Sequence, residues 1–560
     1  MDNKTIAKSF KLLSQLMELH EENSFKIKSI ANASFKLDKL PFALYDKTIE
    51  EIEKIDGIGK SISAKIVELN TTSRMKELED LLALTPPGIV EMLGIKGIGP
   101  KKIAVIWHDL KIDTVGELYY ACNENRLIEA KGFGLKTQEE IRKVIEFKMA
   151  ANGRFLYAHV APVINSLFSS LLVWLNAADC NALLGIGGQF RRCCEIIDEV
   201  PFIIGTENVL ELNGNLAQFN ALVFEQVATD HFLATTEMGL KIKLKLVYKA
   251  DFYLTWFKET GNEDHVNEVL KLISSTSFAN EEAIYAEAGL AYIEPELREG
   301  LNEIELASTN SFPTLITFAD LKGSLHNHST WSDGVNTLEE MAVFCKDTLK
   351  LQYLGICDHS KSAYYANGLD EQRVYGQHQE IDALNKKLAP FKIFKGIESD
   401  ILNDGALDYS EEVLKTFDFV VASIHSPLRM DEEKATARLI KAIENPYTTI
   451  LGHPTGRLLL SRAGYPIDYK KVIDACATNG VVIEINANPL RLDLDWKWHR
   501  YALEKGVMLS INPDAHRTEG LYDMHFGVLV ARKGGLTADK NLNSFTLEEI
   551  TTYFMKRIKK

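Results

Sequence analysis

Thiol pairs, basic charge and long apolar runs are all scarce in this chain, and each scarcity excludes something. Its 7 cysteines are scattered through 560 residues; only Cys193 and Cys194 are adjacent, and no C-x-x-C pair occurs. That argues against a thiolate zinc site and for a reducing compartment. The net charge of -15 excludes a surface coated for indiscriminate nucleic-acid binding. It leaves room for local anion sites, because helix N-termini and lysine clusters hold phosphates on acidic proteins too. The opening MDNKTIAKSFKLLSQLMELH reads as an amphipathic helix with both charge signs and lacks the apolar run of a signal peptide. No later segment is expected to be long and apolar enough to span a bilayer. A cytoplasmic, monomeric protein without membrane contact is the expectation, and the length implies several domains.

Three similar segments recur in the first 140 residues. They centre on Gly57-Ile58-Gly59, Gly97-Ile98-Gly99 and Gly132-Phe133-Gly134, each between helical patterns and each followed by a lysine: Lys60, Lys101 and Lys136. Glycine permits the tight turn, and the next helix then points its N–H groups at a site where a phosphate can sit. One such turn is an ordinary helix corner; three with the same lysine resemble the helix-hairpin-helix motif. The resemblance implies a sequence-independent, salt-sensitive grip on the DNA backbone at gaps or 3′ ends.

From residue 150 the order of features resembles the family X DNA polymerases. GIGGQFRRCCEIIDEVPFII (185–204) is similar to the palm entry, KIKLKLVYKADF (241–252) to the strand of the third catalytic aspartate, and ETGNEDH (259–265) to the nucleotide-binding turn. The departures matter more than the likeness. Two-metal phosphoryl transfer needs carboxylates converging from one face of adjacent strands, and residues two apart share a face. Aligning on Arg191-Arg192 puts Glu199 and Pro201 at the first two aspartates, Lys243 at the third, and Gln189 at a serine. The palm is therefore expected to be inactive for synthesis. Lys241, Lys243 and Lys245 line one strand face, which is either solvated or turned to DNA. Lys65 matches the family's lyase lysine, with an exposed helix lysine as the alternative reading.

The strongest pattern starts at Leu325. His326 and His328 stand at i and i+2, Asp333 follows in a Ser-Asp-Gly turn, and apolar strand-like runs then end at His359, Glu398, His425, His453, Asp514 and His516. Strand, ligand, helix, repeated, predicts a β/α barrel with its site at the C-terminal strand ends. HNHSTWSDG, CDHSKS, GIESDIL, SIHS, GHPTGRLL, EINANP and NPDAH resemble the PHP (polymerase and histidinol phosphatase) domain of bacterial family X polymerases. By that resemblance one metal takes His326, His328, Glu398 and Asp514. A second takes His425 and His453 and shares Glu398, and a third takes Asp333, His359 and His516. Pro513 stands where threonine is common and removes a backbone donor beside Asp514. Imidazole and carboxylate donors without thiolate suit three divalent ions, Mn²⁺, Zn²⁺ or Fe²⁺. Glu398 and Asp514 are the central carboxylates, and Lys361, Arg429 and Arg457 are candidate phosphate clamps.

The expected fold is multidomain α/β: a small hairpin domain at 1–80, fingers at 81–150, an α+β nucleotidyltransferase-like palm at 151–230, a thumb at 231–315 and a distorted β/α barrel at 316–560. The function expected from these features is metal-dependent DNA phosphoesterase: a 3′–5′ exonuclease or 3′-end-processing enzyme of DNA repair, including cleavage at abasic sites. An active gap-filling polymerase, a histidinol-phosphate-type phosphatase and a non-catalytic DNA-end scaffold are the alternatives.

Overall fold

A computed structural model describes residues 2–45, 47–128, 130–150, 153–179 and 181–558. They form two compact units, Met1–Glu146 and Phe147–Lys560.

The described residues of the first unit are helices and turns. Asn3–Leu19 is capped by the Asp2 side chain on Thr5 N–H and buries Ile6, Phe10, Leu13 and Met17, a stripe at helical spacing. Ser24–Asp38 packs on it and is capped by Asn23. The three glycine turns behave alike. Gly57, Gly97 and Gly132 adopt φ of +77°, +100° and +87°, which side chains resist. The second glycine of each turn then gives its carbonyl to the first helical hydrogen bond: Gly59 from Ser63, Gly99 from Ile103, Gly134 from Gln138.

The second unit holds two large sheets and a two-stranded pair, Phe155–Leu156 with Ile196–Ile197. Five strands run in the spatial order Leu183–Ile186, Glu199–Thr206, Lys241–Tyr248, His231–Thr235, Glu225–Ala228. Residues 231–235 and 241–248, beyond the palm limit expected at 230, hydrogen-bond into this sheet. The helix Tyr157–Ala178 covers it with Val160, Ile164, Leu167, Leu171 and Leu175. This helix also corrects the expectation about apolar segments. It has 22 residues and is long and apolar enough to cross a membrane by length and composition alone. Serines and asparagine interrupt the apolar residues without adding charge, and one stripe packs into the palm core.

Seven parallel strands form the other sheet: Gly323–Ser324, Tyr353–Ile356, Lys392–Asp400, Phe419–Ser423, Ile450–Leu451, Val482–Asn486 and Leu509–Asn512. Helices such as Glu371–Leu388 and Glu432–Ile443 alternate with them, as predicted. Beyond the last strand, Ala515 bridges to Asn327 and its carbonyl accepts from His328 N–H (2.9 Å), so the sheet nearly closes on itself. Both faces of the strands are buried, as a parallel sheet under helices requires.

Candidate metal centre

Because every barrel strand runs the same way, the residues just past their ends meet at one mouth. The structure brings together all nine side chains singled out in the barrel. Glu398, inside Lys392–Asp400, is the hub. Its Oε1 lies 2.9 Å from His453 Nε2, 3.2 Å from His425 Nε2 and 3.4 Å from His326 Nε2. Its Oε2 lies 2.9 Å from His359 Nδ1 and 3.7 Å from His328 Nε2. Asp514 is 3.0 Å from His328 Nε2, and Asp333 lies 3.5 Å from His359 and 3.4 Å from His516.

Three subsets have donor atoms all within 4.8 Å of one another: His328, Asp333, His359 and His516; His326, His328 and Asp514; and His359, Glu398 and His425. They overlap at His328 and His359, so this grouping divides the donors differently from the one the resemblance implies. His453 belongs to none of the three, although it touches Glu398.

The donor set fits divalent cations on physical grounds. His326 Nε2, His328 Nδ1, Asp333 Oδ2, His359 Nδ1, Glu398 Oε2 and His453 Nδ1 are buried without a hydrogen-bond partner among the described residues. Buried polar atoms are otherwise nearly always satisfied, and a cluster of orphaned lone pairs is the arrangement a cation completes.

Three further carboxylates, not singled out from the sequence, hold these side chains or the turns that carry them. Glu484 is fully buried and accepts from His326 Nδ1 (2.7 Å), His453 N–H (2.7 Å) and Asn512 (3.1 Å). Asp400 accepts from His425 Nδ1 and from Ser362 (2.7 Å). Asp358 accepts from Ser329 and Ser332 in the turn carrying Asp333 and from Gln377 (2.7 Å). Fixing one ring nitrogen as donor turns the other toward the centre. The backbone is also bent here. His453 and Asp514 have φ of +22° and +54°, held there by surrounding bonds.

Electrostatics bind the cluster together. Burial pushes Glu398 up, but His425, His326 and His359 outweigh it and hold its carboxyl well below the usual range. Burial, with His516 and His359 beside it, drives His328 down to about 3. Burial pulls His425 down as well, yet Glu398 and Asp400 overcome it and lift it to about 9 from its ordinary 6.5. In the metal-free chain this imidazolium stabilises the fold fully below about pH 6.5, and that contribution is lost as pH rises through 9. A cation binding there must displace the proton. Mn²⁺ uptake is therefore expected to release protons and tighten as pH rises toward 9, read by calorimetry in buffers of different ionisation enthalpy. Uptake independent of pH and buffer would contradict this charge state.

The candidate clamps divide. Lys361 is exposed and pairs with Glu371 (2.7 Å), and Arg429 is exposed on the loop after His425. Arg457 is not a free clamp. Its guanidinium donates to the Arg491 carbonyl (2.9 Å), Asp495 (2.7 Å), the Leu492 carbonyl and Glu195. A cavity of about 350 Å³ elsewhere in the barrel is lined by residues before the strands, such as Gly480 and Met508, with Tyr553. It lies at the opposite mouth and holds none of these groups.

In the palm, Lys243 stands opposite Pro201 and its ammonium pairs with Glu199, while Lys245 pairs with Glu259 (3.3 Å). Arg191 stacks on Trp256 (3.5 Å) and is taken up by Glu281 (2.5 Å) and Thr260 (2.9 Å). Arg192 pairs with Glu299 (2.9 Å). In the first unit Lys60, Lys101 and Lys136 are exposed, and a Cβ built on Gly59, Gly97, Gly99, Gly132 or Gly134 would meet nothing within 4 Å. The second and third turns thus present open backbone, while Lys36 lies over Gly57 in the first and donates to the Asp56 carbonyl (2.8 Å). Lys65 is half-buried and pairs with Glu77 (3.0 Å).

A nearly closed parallel barrel carrying histidines and carboxylates at one mouth, in a chain that begins with glycine-hairpin helices, is the architecture of a polymerase joined to a PHP domain. Residues 1–75 match the family description "Helix-hairpin-helix domain" and 89–146 match "SAM-like Helix-hairpin-helix tandem". The DNA polymerase/3'-5' exonuclease PolX of Bacillus subtilis is 32% identical over 100% of both chains. The C-terminal part is similar to proteins named "Probable phosphatase": one from Thermoanaerobacter sp. is 32% identical over 29% of this chain and 69% of its own length. Another, from Acetivibrio thermocellus, is 31% identical over 34% and 78%. The chain belongs to the bacterial family X DNA polymerases with a C-terminal PHP domain.

Proposed function

We propose that the barrel hydrolyses phosphodiester bonds at DNA 3′ ends, in DNA repair and including abasic sites, and that the palm serves as scaffold without synthesising DNA. The observation that carries this is the convergence of eight donor side chains on Glu398, in a chain whose relative is named a DNA polymerase/3'-5' exonuclease.

His326, His328, Asp333, His359, Glu398, His425, His453, Asp514 and His516 would hold the divalent ions, Mn²⁺, Zn²⁺ or Fe²⁺. When bound, such ions lower the pKa of water, neutralise phosphate oxygens and support a leaving alkoxide. The chain's own contribution is orientation. Glu484 and Asp400 fix the tautomers of His326 and His425 and so direct their remaining nitrogens inward. Glu398 offers one oxygen to each side of the cluster, so it would help to hold the ions on both sides. Lys361 and Arg429, exposed beside the ligand turns, are suited to hold a phosphate on approach. In this reading the small hairpin domain and fingers grip DNA, the palm and thumb support its path, and the barrel cleaves.

Gel-resolved digestion of 5′-labelled single-stranded, gapped and abasic DNA with Mn²⁺, Zn²⁺ or Mg²⁺ tests this. Shortening from the 3′ end supports the reading; retention of full-length DNA with every metal would overturn it. The barrel's similarity to proteins named phosphatases favours one second reading, hydrolysis of small phosphomonoesters. Turnover of histidinol phosphate exceeding that of DNA would establish it.

The hairpins supply the grip. Replacing Lys60, Lys101 and Lys136 together by alanine is expected to weaken DNA binding and lower the slope of log K against log salt by about 2.7. Fluorescence anisotropy across salt concentrations measures this, and an unchanged slope would remove the three lysines from the interface.

A further inference from the structure

The turn that presents His453 is held partly from outside the barrel. Two of its restraints are barrel residues: Glu484 accepts from His453 N–H, and Asp493 accepts from the N–H groups of Thr455 (2.9 Å) and Gly456 (3.0 Å). The third is Arg457, which ends the turn and ties it to segment 491–495 through the Arg491 and Leu492 carbonyls and Asp495. Asp493, the residue gripping the turn, lies inside that same segment.

One acceptor of the guanidinium belongs to neither piece. Glu195 is a palm residue, just before the short strand Ile196–Ile197, and its backbone carbonyl accepts from Tyr157 N–H (3.0 Å). The side chains of Arg457 and Glu195 are only 14% and 13% exposed, so water does not readily replace either partner. A guanidinium that loses one buried acceptor keeps its charge and must find another, which shifts the backbone carrying it. His453, at a φ of +22°, has a conformation that depends on such restraints.

We propose that Glu195 is a positioning residue for the metal centre: through Arg457 it fixes the 453–457 turn and hence the place of His453 beside Glu398. This rests on the metal-centre reading above. It gives the palm a part in the barrel's chemistry, and it explains why Arg457 is drawn away from phosphate.

The same seam supplies a control. Lys533 donates to Glu299 and to the Arg192 carbonyl (3.1 Å), and Arg532 to Glu296 (2.5 Å). These pairs join the helix Met524–Lys533 to palm and thumb and hold no ligand-bearing turn. If Glu195 acts only as glue, removing Lys533 and removing Glu195 should have the same consequences.

Hydrogen exchange of the metal-stripped full-length chain separates the two. In Glu195→Ala the peptide covering 453–457 is expected to exchange about tenfold faster than in the parent. Glu195→Gln, which retains an acceptor oxygen, should stay close to the parent. Lys533→Met should lower the melting temperature yet leave that peptide unchanged. Calorimetric titration with Mn²⁺ should show about a tenfold loss of affinity in Glu195→Ala and none in Lys533→Met, in the range for residues behind a metal ligand. Should Glu195→Ala fail to fold, Arg457→Lys carries the same expectations, because an ammonium cannot reach all four acceptors. Parent-like exchange in the variant, or equal acceleration by Lys533→Met, would overturn the proposal. A parent chain that takes up no Mn²⁺ would instead overturn the metal-centre reading, while the exchange arm still decides whether Glu195 sets the turn.

Discussion

Glu398→Ala is expected to lower Mn²⁺-dependent shortening of DNA by at least ~10³-fold, about 4 kcal/mol of transition-state stabilisation. Glu398 lies within 3.7 Å of five of the six histidines, one oxygen toward His326, His425 and His453, the other toward His328 and His359. Its removal deletes a negative charge from between several imidazoles and deprives both sides of the cluster of a shared donor. Metal content should fall with activity, measured by elemental analysis after gel filtration. DNA affinity should hold, because Lys60, Lys101 and Lys136 lie in the other unit. Full activity in Glu398→Ala would place the chemistry elsewhere. Lost activity with lost DNA binding would point to misfolding, which circular dichroism detects.

The second large expected effect is an absence. A chain carrying Glu398→Ala, so that products are not degraded, should incorporate no labelled nucleotide on a gapped primer–template with Mg²⁺ or Mn²⁺. The physical reason lies in the register of two strands. Glu199 and Pro201 occupy neighbouring positions on one face of the first strand, and Lys243 stands across from Pro201 with its ammonium on Glu199. The Glu199 carboxylate is thus paired with a fixed cation, where divalent ions would need two or three anionic donors. Pro201 also packs within reach of Gly188, where an added Cβ would meet its ring at 2.7 Å. Restoring aspartate at 243 alone is expected to leave synthesis absent, since position 201 still offers no donor. Incorporation above background by the unaltered palm would show that synthesis does not require this triad.

How much of this was legible in the sequence follows from the range of each interaction. The barrel could be read because each strand is a local apolar run and each candidate side chain lies at or near its end; parallel topology then brings them to one mouth. The placement of Glu199, Pro201 and Lys243 could be read because two-residue spacing decides which side chains share a strand face. Glu484 was hidden for the opposite reason: it lies inside the strand Val482–Asn486, and the ring it orients is 158 residues away. The pairing of Arg457 with Glu195, 262 residues apart, leaves no local trace, so Arg457 reads as a phosphate clamp from its place after the GHPTG turn. Tyr157–Ala178 was missed as an apolar helix because its polar residues are uncharged, so they break the run without lowering the hydropathy much.

Mn-edge anomalous diffraction from crystals grown with Mn²⁺ tests the metal centre most directly. Peaks are expected at the barrel mouth, among His326, His328, Asp333, His359, Glu398, His425, His453, Asp514 and His516, and none beside Glu199 in the palm. A barrel mouth without a peak, or peaks only in the palm, would contradict the assignment of phosphoester chemistry to these nine side chains.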